Sequence, residues 1–402
     1  MRVKLHEASF GEEEIEAAVE VLRSKNTPSA TKVREFEREF GPHAVLCNSG
    51  SSANLLAISA LTNPVTENRL KPGDEVIVSA LSWSTTVWPL VQHGLIPVIV
   101  DIDPKTLNID MVQVLQAIGK KTRAIMPVHV YGNPCDLTSL QTLKDAGLRI
   151  IEDCCEAFGA SAIKQDGTLQ PVGSVGDFST FSFYFSHHIT MMEGGLVIAK
   201  NQELSDLVRI LRAHGWVRDL DDPSSYIEAH PDIDPRFLFV NAGYNLRVTE
   251  LQAAMGMVQL RKFPEFLLQR RKISALLQDV FKQYEDVLSI QLENGKSSCF
   301  GFPIIVGGNM LGNHFAKAYG RSFTAQRLRA HFEDHGIETR SVICGNIARQ
   351  PAMNLWEHRV FGDLKHANHV MDEGFALGCH QSMTEESVSY IEHVLEQFSG
   401  LR

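Results

Sequence analysis

Between about residues 44 and 200, short β-rich apolar runs alternate with segments of helical character. AVLCNSG precedes ANLLAISAL, EVIVSALSW precedes a stretch to His93, IPVIVDID precedes MVQVLQAI, AIMPVHVY precedes LTSLQTLKDA, and RIIEDC closes the series. Alternation at this spacing predicts crossover units and a mainly parallel sheet covered by helices on both faces, an α/β fold. Ligands of such sheets gather beyond the carboxyl ends of the strands. Ser49 to Ser51, Trp83, Asp153 and His187 each follow an apolar run. The stretch 249–284, broken only by Pro264, reads as a helical spine into a smaller C-terminal α+β domain. That domain resumes with FGFPIIV, a helix from Thr324 to His335, GIETRSVI and a final helix near 385–398. The expected division is 1–250 for the large domain with its N-terminal segment and 251–402 for the spine and small domain. The segment 307–322 reads as a surface loop.

Length and composition narrow the function classes. With 402 residues and 44% hydrophobic content the chain can bury a sizeable core. A net charge of −10 without a Lys/Arg-rich block argues against a nucleic-acid partner. Apolar stretches such as GLIPVIVDI at 94–102 are too short to span a bilayer, and MRVKLHEASF lacks the apolar core of a signal peptide. The expectation is a cytoplasmic protein with no membrane partner. Seven cysteines, none in a Cys-x-x-Cys pair, point to reduced thiols.

Several segments carry candidate chemistry. Cys47-Asn48-Ser49-Gly50-Ser51-Ser52-Ala53-Asn54 places small residues between a strand and a helix. N–H groups and hydroxyls there can hold a phosphate, or merely serve turn and cap geometry. Asp153 ends an apolar run, as a buried carboxylate that needs a partner or as a helix cap. Trp83 in ALSWSTT reads as packing on composition alone. Glu156 shares a face with Asp153 if a helix begins there. His187-His188 resembles a metal pair only superficially: adjacent side chains diverge and no Cys or carboxylate spacing completes a zinc set, so no metal is expected. An imidazole does move protons near neutral pH. Gly243-Tyr244-Asn245-Leu246-Arg247 suits a tight turn before a helix at Thr249. Arg218 and Arg340 could grip a pyrophosphate or carboxylate, or lie on the surface.

The frame FSFYFSHHITMMEGG at 181–195, together with IIEDCCEAFGA thirty-four residues before His187, resembles the sugar-nucleotide branch of the aspartate-aminotransferase superfamily, the DegT/DnrJ/EryC1/StrS family. The resemblance covers nearly the whole chain, from Ser9-Phe10-Gly11-Glu12 to Gly378-Cys379-His380-Gln381. It implies a fold type I enzyme using pyridoxal 5'-phosphate (PLP) and pyridoxamine 5'-phosphate (PMP). Gly50, Ser51 and Ser182 would bind the phosphate, Asp153 the pyridine nitrogen, Trp83 the ring face and Glu156 the cofactor edge. Asn245 would cross to a neighbouring subunit, implying a homodimer with shared sites; Arg218 and Arg340 would meet substrate. His187 takes the position where most of the branch has a lysine, and Lys164 and Lys200 lie outside the frame. Without that amine the implied chemistry is elimination of the C3 hydroxyl from a 4-keto-6-deoxy sugar nucleotide, with His187 as proton shuttle, L-glutamate as amino donor and ammonia released. No motif specifies the base, so GDP-4-keto-6-deoxymannose rests on resemblance. The chain departs from the family pattern at Ala30, a usual glycine, and at Ser341, a usual proline. The rivals are an ordinary sugar aminotransferase, which needs the missing lysine, an iron–sulfur 3-dehydratase, which needs clustered cysteines where Cys299, Cys344 and Cys379 are widely spaced, and a non-catalytic PLP-binding regulator.

Overall fold

The computed structural model describes residues 1–25, 30–164, 166–307 and 324–398. The chain forms β1 (Ala44–Cys47), β2 (Glu75–Ser79), β3 (Ile96–Val100), β4 (Thr122–Met126) and β5 (Arg149–Asp153), with a helix after each of the first four. A small hairpin, β6 (Ser161–Ile163) and β7 (Leu169–Pro171), precedes β8 (Phe178–Ser182) and β9 (Gly195–Ala199). Beyond the helix Glu250–Lys282 come β10 (Leu288–Ile290), β11 (Phe302–Val306), β12 (Arg359–Val360) and β13 (Gly374–Leu377). The large sheet has eight strands in the order β1-β9-β8-β5-β4-β2-β3-β12. Only β9 runs against its neighbours, so the sheet is mainly parallel as the alternation predicts.

Side-chain alternation divides the apolar runs between two cores. Val76, Val78, Ile99, Ala124 and Met126 face the helices Gly50–Thr62, Ser84–Gln92 and Gln202–Arg212. Ile77, Val98, Val100, Ile125 and Ile150 face the helices Met111–Ala117 and Leu137–Asp145. Burying each such Val or Ile contributes about 1.5–3 kcal/mol, which ties every strand to both layers.

Glu250–Lys282 is one unbroken helix, so Pro264 does not interrupt the spine. Pro264 is exposed, where the carbonyl that loses its partner can meet water. The helix buries Ile273, Leu277 and Phe281 against the three-stranded sheet β10-β11-β13. Helices Ala325–Asp334 and Glu385–Glu396 lie close to the sequence-derived bounds. GIETRSVI supplies only isolated bridges, from Ile337 to Val3 and from Arg340 to Ala376. Of the stretch read as a surface loop, 308–322 lies outside the described residues, as does 26–29 of the N-terminal segment. Ala30 is anchored: Glu250 Oε1 accepts from the Ala30 and Val33 N–H groups at 2.8 and 3.0 Å, and Oε2 from Lys32 at 2.8 Å.

Candidate active site

The carboxyl ends of β1, β2, β5 and β8 surround a cavity of about 300 Å³. Its wall includes Gly50, Ser51, Trp83, Asp153, Glu156, Ser182, His187 and Arg340, eight of the ten residues singled out from sequence. At one end Ser49 caps the helix Gly50–Thr62, its Oγ accepting from the Ser52 N–H at 3.1 Å. The N–H groups of Gly50 and Ser51 have no partner among the described residues, as the first turn of a helix leaves them. A Cβ on Gly50 would lie 2.6 Å from Ser182 Cβ, so only glycine lets the turn and β8 close into one seat for an anion.

Asp153 ends β5 and is 3% exposed, with no cationic side chain paired to it among the described residues. Its Oδ2 accepts from Asn54 Nδ2 at 2.9 Å and Thr86 Oγ1 at 2.7 Å, while Oδ1 takes the Cys155 N–H at 3.1 Å. Asn54 is held in turn by Thr180, whose hydroxyl donates to Asn54 Oδ1 at 2.6 Å. A buried carboxylate so oriented but not neutralised by the protein suits a cationic ring nitrogen in the cavity. Residues 154–160 contain turns and no helix, which removes the capping role for Asp153 and the shared helix face for Glu156.

His187 Nδ1 lies 2.8 Å from the Cys155 carbonyl. A carbonyl only accepts, so Nδ1 carries the proton and Nε2 keeps a lone pair with no partner among the described residues. Phe300 packs on the imidazole at 4.9 Å between centroids. Burial pushes the His187 pKa down to about 4; the bond to Cys155 opposes this, and the positive charges of Arg270 and Arg340 add to it. The ring is therefore a neutral base across the physiological range. His188 points the other way, buried, with Nε2 donating to the Ser298 carbonyl at 3.1 Å. The adjacent pair thus divides into one cavity residue and one core residue.

Glu156 accepts the Tyr131 N–H at 2.9 Å. Burial raises its pKa to about 7, against the Tyr131 bond and the nearby Arg340 charge, so a proton is available on it near neutrality. Trp83 is 50% exposed at the cavity wall, which is a poor site for core packing and an open one for a planar ligand. Asn245 and Arg218 do not line the cavity. Asn245 is exposed and accepts from Arg247 Nε at 3.3 Å; Arg218 stands 5.7 Å over the Trp216 ring.

Beneath the cavity, His129, Glu152 and Cys154 come within metal-ligand reach of one another. Their donor atoms are already used. Glu152 accepts from the Gly173, Val175 and Gly176 N–H groups at 2.7–2.8 Å and from His129 Nε2 at 3.1 Å, while His129 Nδ1 accepts from Cys135 N–H at 2.9 Å. The cluster locks β5 to its neighbours.

Residues 8–396 match the DegT/DnrJ/EryC1/StrS aminotransferase family. The chain belongs to that family. Among its members, a GDP-4-keto-6-deoxy-D-mannose 3-dehydratase of Yersinia pseudotuberculosis is 35% identical over 98% of both chains. The Escherichia coli enzyme of that name, solved with bound hydrated PLP, superposes with a TM-score of 0.87 at 32% identity, covering 98% of this chain and 100% of that one. A structure of GDP-4-keto-6-deoxymannose 3-dehydratase holding a trapped PLP–glutamate geminal diamine gives the same TM-score, identity and coverage. The architecture is accordingly the aminotransferase fold of PLP enzymes.

Within this DegT/DnrJ/EryC1/StrS chain, three functional contributions escape motif reading. Thr86 lies in the quoted ALSWSTT, but nothing in its spacing marks it as a ligand of Asp153. Asn54 closes the small-residue segment, yet serves Asp153 rather than the anion seat. Phe300 sits 113 positions (300 − 187) from the imidazole it covers, so no local signal announces it.

Proposed function

We propose that this protein is a PLP/PMP-dependent 3-dehydratase that removes the C3 hydroxyl of a 4-keto-6-deoxy sugar nucleotide, with GDP-4-keto-6-deoxymannose as substrate. L-Glutamate supplies the amino group and, in becoming 2-oxoglutarate, the two electrons, and ammonia and the 3,6-dideoxy-4-keto sugar leave. The observation that carries the reading is His187: a neutral imidazole with a free Nε2 stands in the cavity, and no lysine is among the lining residues described. The names of the relatives supply the substrate class and glutamate.

The residues present fit PLP. The unpartnered N–H groups of Gly50 and Ser51 beside Ser182 fit its phosphate, and the uncompensated Asp153 carboxylate fits its protonated ring nitrogen. Bound there and converted by glutamate to PMP, the cofactor would supply an amino group for the C4 ketone and an electron-withdrawing ring. Asp153 keeps that ring nitrogen protonated, held in aim by Asn54 and Thr86. Trp83 covers one face and Glu156 lies at the edge. His187 Nε2 would take the proton from the carbon that carries the cofactor's amino group, and the imidazolium would deliver it to the departing C3 hydroxyl oxygen, which leaves as water. Arg340 meets an anionic group of the substrates. Arg218 meets a pyrophosphate or carboxylate of the substrate, and Asn245 serves a second copy, completing the partner's phosphate site, with the neighbouring Phe237 and Phe239, 60% and 50% exposed, supplying apolar area for that contact. The chain divides at 250/251 into the cofactor-holding part and the part that follows the spine.

The rival readings lack support in the cavity. Cys299, Cys344 and Cys379 form no metal-holding group among the described residues. The deciding experiment measures ammonia release from glutamate with a panel of 4-keto-6-deoxy sugar nucleotides. Turnover requiring both substrates is expected; stoichiometric transfer of nitrogen to the sugar would make the protein an aminotransferase, and no turnover with any sugar would favour a regulator.

Two further outcomes follow from the same cavity. Borohydride treatment of the PLP-loaded protein should leave its intact mass unchanged, because position 187 offers no amine; a cofactor adduct on any lysine contradicts this. Gly50→Ala should weaken PLP binding about fivefold or more, since an added methyl in a filled site typically costs about 1–3 kcal/mol. An unchanged dissociation constant in an absorbance titration would remove the anion seat from this turn.

A further inference from the structure

Arg270, on the inner face of the helix Glu250–Lys282, is fully buried. Its guanidinium meets only neutral acceptors among the described residues. Nη1 donates to the carbonyls of Cys379, Cys299 and Phe300 at 2.7, 3.3 and 3.4 Å, and Nη2 donates to Gln381 Oε1 at 3.1 Å and to the His187 carbonyl at 3.5 Å. No carboxylate pairs with it. Burial lowers its pKa only to about 10, so it remains charged at neutral pH.

A buried cation lacking a counter-ion is costly, and aliphatic packing could have joined these loops instead. Two features give the charge a use. Its hydrogen bonds converge on the backbone of His187 and of Phe300, the ring packed at a tilt of 35° against the His187 imidazole. Its field, with no anion to cancel it, opposes protonation of that imidazole. We propose that Arg270 is a positioning residue for the reaction, clamping His187 and its covering ring while its unneutralised charge reinforces the burial that keeps the imidazole in its proton-accepting form. The proposal rests on the reading of His187 as the base.

The other ionisable groups around that imidazole are accounted for by element. Arg340 lines the same cavity and adds positive charge. Asp153, Cys155 and Glu156 come from the segment after β5, Tyr184, His188 and Glu193 from its own. In the PLP-loaded protein Asp153 would be paired with the ring nitrogen, and Glu156 is close to neutral near pH 7, so little carboxylate charge is left to cancel the two arginines; Cys299 and Cys379 are the titratable groups that face Arg270 itself.

The test uses the PLP-loaded protein and three variants. Arg270→Lys keeps the charge, Arg270→Gln removes it, and Gln381→Glu places a carboxylate against the guanidinium, neutralising it in place. The titration of His187 is followed by NMR on histidine-labelled protein, assigned by the signal missing from His187→Asn. Thermal melts, and kcat and KM against pH with glutamate and sugar nucleotide, accompany it. Gln381→Glu and Arg270→Gln should raise the His187 midpoint by about one pH unit or more. The acidic limb of kcat should move up with it while KM is little changed, and Arg270→Lys should retain the low midpoint. A folded Gln381→Glu protein with an unmoved His187 midpoint overturns the proposal even if Arg270→Gln fails to fold. A midpoint that shifts with no change in the kcat profile would leave the field real and remove His187 from the base role, which is a failure of the proposed function instead.

Discussion

Replacing His187 with Asn lowers sugar dehydration by about 10²–10⁴-fold, the range general acid–base catalysis supplies. Asn preserves approximate size and polarity and can still donate to the Cys155 carbonyl, but offers no basic nitrogen at Nε2. PLP binding survives, because Gly50, Ser51, Ser182 and Asp153 carry it. His188→Asn, by contrast, alters a core contact to Ser298 and acts on stability before turnover. His187→Lys restores an amine at the cavity and is expected to acquire a borohydride-trappable link to PLP while losing dehydration. The pH profile follows from the same ring. Since burial holds its pKa to about 4, the base is available above that value, and the limb it controls is lost as pH falls through about 4 rather than about 6.5. Measured dehydration near the wild-type rate in His187→Asn would leave the imidazole without a catalytic role.

Asp153→Asn separates charge from shape at the other end of the cavity. The amide oxygen can still accept from Asn54 and Thr86, but the NH2 replaces the oxygen that accepts the Cys155 N–H, so the fold around β5 should hold with a melting temperature lowered by the loss of one hydrogen bond. What is lost is the charge-assisted bond to the ring nitrogen, worth about 1.5–3 kcal/mol, or roughly 10–10²-fold. The loss should appear in the first half of the cycle, as slower conversion of PLP to PMP absorbance by glutamate alone. Conversion at the wild-type rate would show that the buried carboxylate serves the protein core only.

The main features of the fold could be read in advance because the β-rich runs and helical segments alternate strictly from Ala44 to Asp153, and a parallel sheet follows from that alternation. The reversal of β9 was not legible: GLVIA has the apolar character of any central strand, and its direction is imposed by the tight return from His187 to Gly195. Gly50, Asp153 and His187 were readable because each sits at the end of a strand in a compact motif. Arg270 lies in a helix dense with arginine and lysine, where burial alone distinguishes it from Arg271 or Lys272. Asn245 and Arg218 were assigned by resemblance, and both lie outside the cavity of their own chain.

The edge strand β12 carries a mechanical consequence. Its two residues, Arg359 and Val360, hydrogen-bond in register with Val98 and Ile99 of β3, and Arg359 reaches Glu75 at 2.8 Å and the Ala117 carbonyl at 2.8 Å. The polypeptide therefore departs from the sheet at one side, travels the whole spine, and is buckled back onto the opposite margin. A hinge at the spine would have to tear this buckle open before the two lobes could swing apart. With β12 paired to β3, traffic of sugar and amino acid into the cavity is expected to rely on small movements at its rim, where Trp83 and Tyr184 are half exposed.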